Sequence, residues 1–117
     1  MRPIPRDFDL SSFVGQQLTQ LRIGAHHLQL VFEGEHLIAC EGAVVVERNG
    51  QRSSVIGEDG WEDFAALNGL VGQNVLAWHI EDEHQFSITL ATGTKLRFLS
   101  TNRPYEDFVI HPQLLVV

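Results

Sequence analysis

Phe13 to Ile23 reads FVGQQLTQLRI, and Leu70 to Ile80 reads LVGQNVLAWHI. A repeated triplet such as Val-Gly-Gln is what chance supplies in a chain of this length, so the residues around it decide whether the echo has meaning. Leu18, Leu21 and Ile23 follow the first copy, and Val75, Trp78 and Ile80 follow the second, each pair 57 residues apart. A polar turn comes next, Gly24 to His27 or Glu81 to Gln85. Then every second residue is apolar: Leu28, Leu30 and Phe32 in one copy, Phe86, Ile88 and Leu90 in the other. A period of two marks a strand with one buried face. A glycine turn closes each stretch, Glu33-Gly34-Glu35 or Ala91-Thr92-Gly93-Thr94, before a third strand that contains Leu37 or Leu96. The order is collinear, and the separation drifts only from 57 to 59 as the turns gain residues.

The expected fold is therefore mainly β, of the α+β class. Two pseudo-symmetric antiparallel β-meanders, over 13–47 and 70–100, form a barrel-like roll or a sandwich, with one short helix between them. Each meander has one apolar face and covers that of the other. Asn49-Gly50 lies between Val44, Val46 and Val55, Ile56, and the Asn-Gly dipeptide favours a two-residue type I′ turn, so the first unit carries an extra hairpin. In GEDGWEDFAALNGLVG, Asp59 and Glu62 have capping-box spacing and Trp61, Phe64, Ala65 and Leu67 form a stripe, which predicts a helix at about 60–69. Asp9 is a candidate cap before the first copy, where there is room for about one turn. Each VGQ then marks the exit from a helical turn into a strand.

Composition bounds the rest. The 117 residues, 44% of them hydrophobic and 20% charged, suffice for one core, and 1–117 is expected to be a single domain. The longest apolar runs, such as Gly42 to Val46 and Leu114 to Val117, fall far short of the roughly 20 residues of a bilayer span. MRPIPRDFDL has no apolar segment of the kind a secretory signal needs, so the cytoplasm is the expected compartment. Eight basic against 15 acidic residues leave a net charge of −7, with the arginines scattered, which disfavours a nucleic-acid partner. Cys40 is the single cysteine, so no intramolecular disulfide exists, and its alternating neighbours mark it as a small buried hydrophobe.

Near the C-terminus, within the segment 105–117, stands Tyr105-Glu106-Asp107-Phe108-Val109-Ile110. Together with the Gly-Gln-x-(Leu/Val) starts, the alternating strands and the glycine turns, this resembles a family of small bacterial proteins of unknown function. In that family a second strand repeat is followed by a Tyr-Glu-x-aromatic-x-Ile segment. The resemblance spans residues 13 to 110 and implies a fold type and a bacterial origin; it implies no activity.

Few residues carry recognisable chemistry. The histidines at 26, 27, 36, 79, 84 and 111 include no His-x-His or His-x3-His spacing, so neither a metal nor any other cofactor is expected. No nucleophile elbow, P-loop or dinucleotide fingerprint occurs, and no catalytic residue is assigned. His79 and Tyr105 are candidate pocket residues, as an acid-base cluster with Glu106 and His111 would need them to converge. Phe108 and Ile110 are expected to dock the C-terminal segment on a sheet.

The expected function is a non-enzymatic protein-binding module, immunity-like or regulatory, whose acidic surface attracts a basic protein. The candidate contacts are Glu81, Asp82, Glu83, Glu106 and Asp107. One alternative is a structural or self-assembling protein, a homodimer joined through apolar edges or the tail HPQLLVV. Another is a small-molecule binder or enzyme with a cavity between the meanders.

Overall fold

The alternating stretches are strands. The computed structural model describes residues 4, 7–25, 27–57, 60–100, 108–111 and 115–116, and is mainly β. The first meander is β1 (Leu18–Ile23), β2 (Leu28–Phe32) and β3 (Leu37–Cys40). The chain then crosses to the other sheet through β4 (Ala43–Arg48), β5 (Gln51–Gly57) and β6 (Gly60–Trp61). The second meander is β7 (Val75–Asp82), β8 (Gln85–Leu90) and β9 (Lys95–Leu99), after which β10 (Phe108–His111) and β11 (Leu115–Val116) return to the first sheet. The strand orders are β1-β2-β3-β10-β11 and β6-β5-β4-β9-β8-β7, so each meander is extended by strands that follow the other one. The two antiparallel sheets share one core, a sandwich-like arrangement and not a closed barrel.

The meanders pair in matching registers. Leu28 faces Cys40 and Leu30 faces Ile38 in one; Phe86 faces Phe98 and Ile88 faces Leu96 in the other. A bulge interrupts the first pair of strands between Leu18 and Gln20, and another lies between Val75 and Ala77 at the corresponding place. The VGQ segments lie where the halves meet. Gly15 N donates to Val75 O and Gly72 N to Leu18 O; Leu18 N donates to Gln73 O and Val75 N to Gln16 O. With the Gln17–Asn74 bridge these bonds stitch the edge of one sheet to the edge of the other. Gly15 and Gly72 have φ of +87° and +97°, a conformation open to glycine at little cost, which explains the glycine of each triplet. A one-turn 3-10 helix, Ser11–Phe13, precedes the first triplet; its N-cap is Leu10, which makes no side-chain cap bond, whereas Asp9, the expected cap, stands one residue earlier, where its Oδ1 accepts from Ser11 N at 2.8 Å.

Inward residues of both sheets, among them Leu28, Leu30, Phe32, Phe86, Ile88 and Leu90, form that core. Phe86 stacks on Phe98 at 4.7 Å between centroids and meets Phe108 edge-on at 5.5 Å, so the returning β10 is anchored by an aromatic. Phe108 and Ile110 are buried, as the C-terminal docking requires. Cys40 is buried too, and desolvation pushes its thiol pKa well up. Asn49, at φ +51°, and Gly50, at φ +80°, make the expected hairpin turn between β4 and β5.

The helical segment is shorter than 60–69. Gly60–Trp61 forms β6 against β5, and only Phe64–Leu67 is helical, a single 3-10 turn capped by Asp63. Glu62 N and Asp63 N both donate to Val55 O, so the amides that would open a longer helix are held at the edge of the sheet. Asp59 lies outside the described residues.

Candidate functional site

Alternation that puts Val44, Val46, Leu96 and Phe98 inside puts Glu47, Lys95 and Arg97, each partly buried, on the outward face of the six-stranded sheet. Pairing of β4 with β9 and of β9 with β8 brings Arg97 next to Val45 and Ser87, and Lys95 opposite Glu47. Arg97 Nε donates to Glu47 Oε2 at 3.0 Å, its second amino nitrogen lies 2.9 Å from the same oxygen, and its other arm is 3.3 Å from Glu81 Oε1. Lys95 and Arg52 complete the array at 3.9 Å from Glu81 and 3.7 Å from Glu47. Ser87 is buried despite its outward direction, and its hydroxyl donates to Glu81 at 3.1 Å. The hydrogen bond from Arg97 holds the Glu47 carboxyl below its ordinary pKa; desolvation opposes it, and the positive charges of Arg97, Arg52 and Lys95 add to the lowering.

The acidic run is thereby divided. Glu81 belongs to this network. Asp82 Oδ1 accepts from His84 N at 2.7 Å and closes the β7–β8 turn. The side chain of Glu83 is exposed, while its carbonyl accepts from Ile4 N at 2.7 Å. Glu33 and Glu35 sit at the other end of their strands, near the junction of the halves, where Glu33 Oε1 accepts from Gln17 N. The acidic turns therefore do not gather at one end. His79 is exposed on the edge strand β7, opposite Ser87, and does not line the cleft between the β4–β5 and β8–β9 turns. Tyr105, Glu106 and Asp107 lie outside the described residues.

A cleft of about 450 Å³ lies between the β4–β5 and β8–β9 turns, lined by Arg48, Asn49, Gly50, Thr92, Gly93 and Thr94. Gln73 shapes one wall: its Oε1 accepts from Thr92 Oγ1 at 2.7 Å and its Nε2 donates to Gly69 O at 2.7 Å. With the Thr92 proton given to Gln73, Thr94 Oγ1 is the donor in its 3.0 Å bond to Thr92. Arg48 donates to Asn68 O. Both hydroxyl protons are thus used inside the wall, and Arg48 is the single charged residue lining the cleft among the described residues.

No three His, Cys, Asp or Glu side chains among the described residues are placed to hold a metal ion, and no described helix is long and apolar enough to cross a membrane. Fold and surface thus define the class, a two-sheet β protein with a charged array on the outward face of one sheet. No protein-family model, curated protein or solved structure matches the chain.

Two features escape a reading of the sequence. The partners in the charged array, Glu47 and Arg97, are 50 residues apart and meet only because β4 pairs with β9. Outward positions occupied by charge beside Val46 and Leu96 were the available signal, but strand order was needed to join them. The second feature is an aromatic stack on the surface: Trp61 and Phe64, which helical spacing assigns to a core stripe, have ring centroids 4.5 Å apart and planes at 22°.

Proposed function

We propose that the chain is a non-enzymatic protein-binding module, immunity-like or regulatory, that takes a basic protein as its partner in the bacterial cytoplasm. One observation carries the proposal. Arg52, Lys95 and Arg97 are gathered on one sheet face and neutralised there by Glu47 and Glu81, while Glu35, Glu62 and Glu83 are exposed with no ion pair among the described residues. The excess negative charge of the chain is left at turns and element ends, where it projects into solvent and accelerates encounter with a cationic partner.

The test is the association rate of a partner captured from the native bacterium, measured against ionic strength. Asp82→Asn with Glu83→Lys alters the charge of the β7–β8 tip, while the amide oxygen introduced by the first substitution still offers an acceptor to His84 N. The double variant is expected to slow association and leave the melting temperature unchanged. Adding Glu81→Lys is expected to lower the melting temperature as well, because it removes the acceptor of a buried hydroxyl and sets a third cation beside Arg97 and Lys95. Association indifferent to both salt and the double variant would overturn the proposal. Self-assembly through the tail has less support, since Leu115–Val116 is already paired with β10 of its own chain.

A further inference from the structure

The cleft between the β4–β5 and β8–β9 turns belongs neither to the core nor to the charged array, yet at about 450 Å³ it has the size of a small-molecule site. No aliphatic or aromatic side chain lines it among the described residues, so an apolar ligand would gain little there. A Cβ at Gly50 or Gly93 would meet nothing within 4 Å, so the space over both turns is open. Arg48 stands apart from its neighbours in the sheet. Arg52, Lys95 and Arg97 answer Glu47 and Glu81, whereas Arg48 meets no carboxylate among the described residues. One of its amino nitrogens donates to Asn68 O, which holds the half-buried side chain at the wall and leaves most of its five N–H groups over.

The facing turn offers the reverse. Gln73 Nε2 donates to Gly69 O, which orients that carboxamide and makes its Oε1 the acceptor for the Thr92 hydroxyl. Thr92 in turn accepts from Thr94, which is 6% exposed, so the two hydroxyls have lone pairs to offer and no proton. A complementary ligand brings an anion to Arg48 and proton donors to the threonines. The donors are hydroxyls and not ammonium groups, because no carboxylate lines the cleft among the described residues to balance a second cation. The anion is a carboxylate, since one guanidinium supplies one charge and its planar fork matches two carboxylate oxygens. We propose that this cleft binds a small polyhydroxylated carboxylate, a sugar acid, with the carboxylate on Arg48 and hydroxyls donating to Thr92 and Thr94. The site shares no residue with the acidic turns and stands independently of the basic-partner reading.

Four six-carbon probes, titrated separately into the full chain and followed by nuclear magnetic resonance, test it: gluconate, sorbitol, hexanoate and sorbitol 6-phosphate. Gluconate is expected to shift the backbone amide signals of Asn49, Gly50, Thr92 and Gly93. Sorbitol, which lacks the charge, is expected to bind roughly tenfold more weakly, and hexanoate, which lacks the hydroxyls, several-fold more weakly. Arg48→Gln keeps a donor for Asn68 O and is expected to weaken gluconate roughly tenfold while leaving sorbitol unchanged. Thr94→Val keeps the shape of the side chain and is expected to weaken gluconate while leaving hexanoate unchanged, so the two variants fail in different ways and a general loss of fold is told apart from either. Arg52→Gln, on the same hairpin but outside the cleft, is the control and should leave gluconate affinity as it was. Sorbitol or hexanoate binding as tightly as gluconate would overturn the assignment of the anion or of the hydroxyls respectively, and tighter binding of sorbitol 6-phosphate would overturn the choice of a carboxylate. Gluconate binding that ignores Arg48→Gln, or no shift at these four amides, would overturn the site.

Discussion

Leu30→Ala and Ile88→Ala form a matched pair that tests whether the two meanders make one core. Leu30 is 1% exposed and lies between Leu21 and Ile38; Ile88 is 0% exposed and lies between Trp78 and Leu96. Each substitution removes three carbons from water-excluded space, a transfer loss of about 2.4 kcal/mol at roughly 0.8 kcal/mol per methylene. Incomplete collapse of the cavity adds to that, so each is expected to cost about 3–4 kcal/mol, within the range of about 2–5 kcal/mol for such truncations. Val31→Ala, one residue along β2 on the outward face, is the control and should cost less than about 1 kcal/mol. Urea unfolding followed by far-ultraviolet circular dichroism and by tryptophan fluorescence measures all three. Because both residues belong to one core, each variant should shift a single transition seen alike by the two probes. Two separate transitions, or a loss below about 1 kcal/mol at both buried sites, would refute the shared core.

Three further outcomes follow from particular side chains. The Cys40 thiol, buried and with its pKa raised, should not react with a thiol-specific dye until the chain is unfolded in denaturant; fast native-state labelling would contradict the packing. The Glu47 carboxylate is favoured in the folded state, so its contribution is fully present above its ordinary value of 4.5 and is lost as pH falls through the lower folded value. Glu47→Gln should therefore flatten the acid limb of a stability-against-pH curve, and an unchanged limb would show that the Arg97 bond does not persist in solution. Chelation should leave the melting temperature where it was, because the described histidines, cysteine and carboxylates form no ligand cluster; a fall restored by zinc would reverse that.

Local signals made much of the fold legible. Period-two apolarity located β2 and β8, and Asn49-Gly50 located the β4–β5 turn, since both depend only on residues close in sequence. What adjacency cannot show is which strand a distant strand joins. Nothing in the residues of β10 says that it pairs with β3, nor does β4 announce β9, and the charged array depends on the second of these pairings. The segment around Trp61 was misleading for a related reason. Its apolar spacing suits a helix, but the carbonyl of Val55 captures the amides of Glu62 and Asp63, and a tertiary bond overrides the local preference. Of the acidic run, sequence showed the charges but not that Glu81 is engaged and Glu83 exposed, because the difference is made by Arg97, Lys95 and Ser87 on other strands.

The two halves are alike where they face the core and different where they face water. Leu28 and Phe86, Leu30 and Ile88, Ile38 and Leu96, and Cys40 and Phe98 occupy corresponding inward positions, all buried. Burial alone would impose that alternation on any pair of meanders. It would not impose a bulge at the same point of β1 and β7, nor reciprocal bonds between the VGQ segments, and the structure has both. Outward positions are free of the core's constraint, and there the halves diverge. Where the second half has Arg97, Lys95 and Ser87, corresponding positions of the first have Ala39, Leu37 and Gln29. At the junction, Gln73 is satisfied by Thr92, whereas Gly34 stands at the matching place and leaves the buried Gln16 Oε1 without a partner among the described residues. The first half folds into the same meander without a charged array, so the array is not a requirement of the fold. Its confinement to one face has a physical consequence all the same: it withdraws Arg52, Lys95 and Arg97 from the rest of the surface, and leaves carboxylates such as Glu62 and Glu83 without a neutralising cation among the described residues.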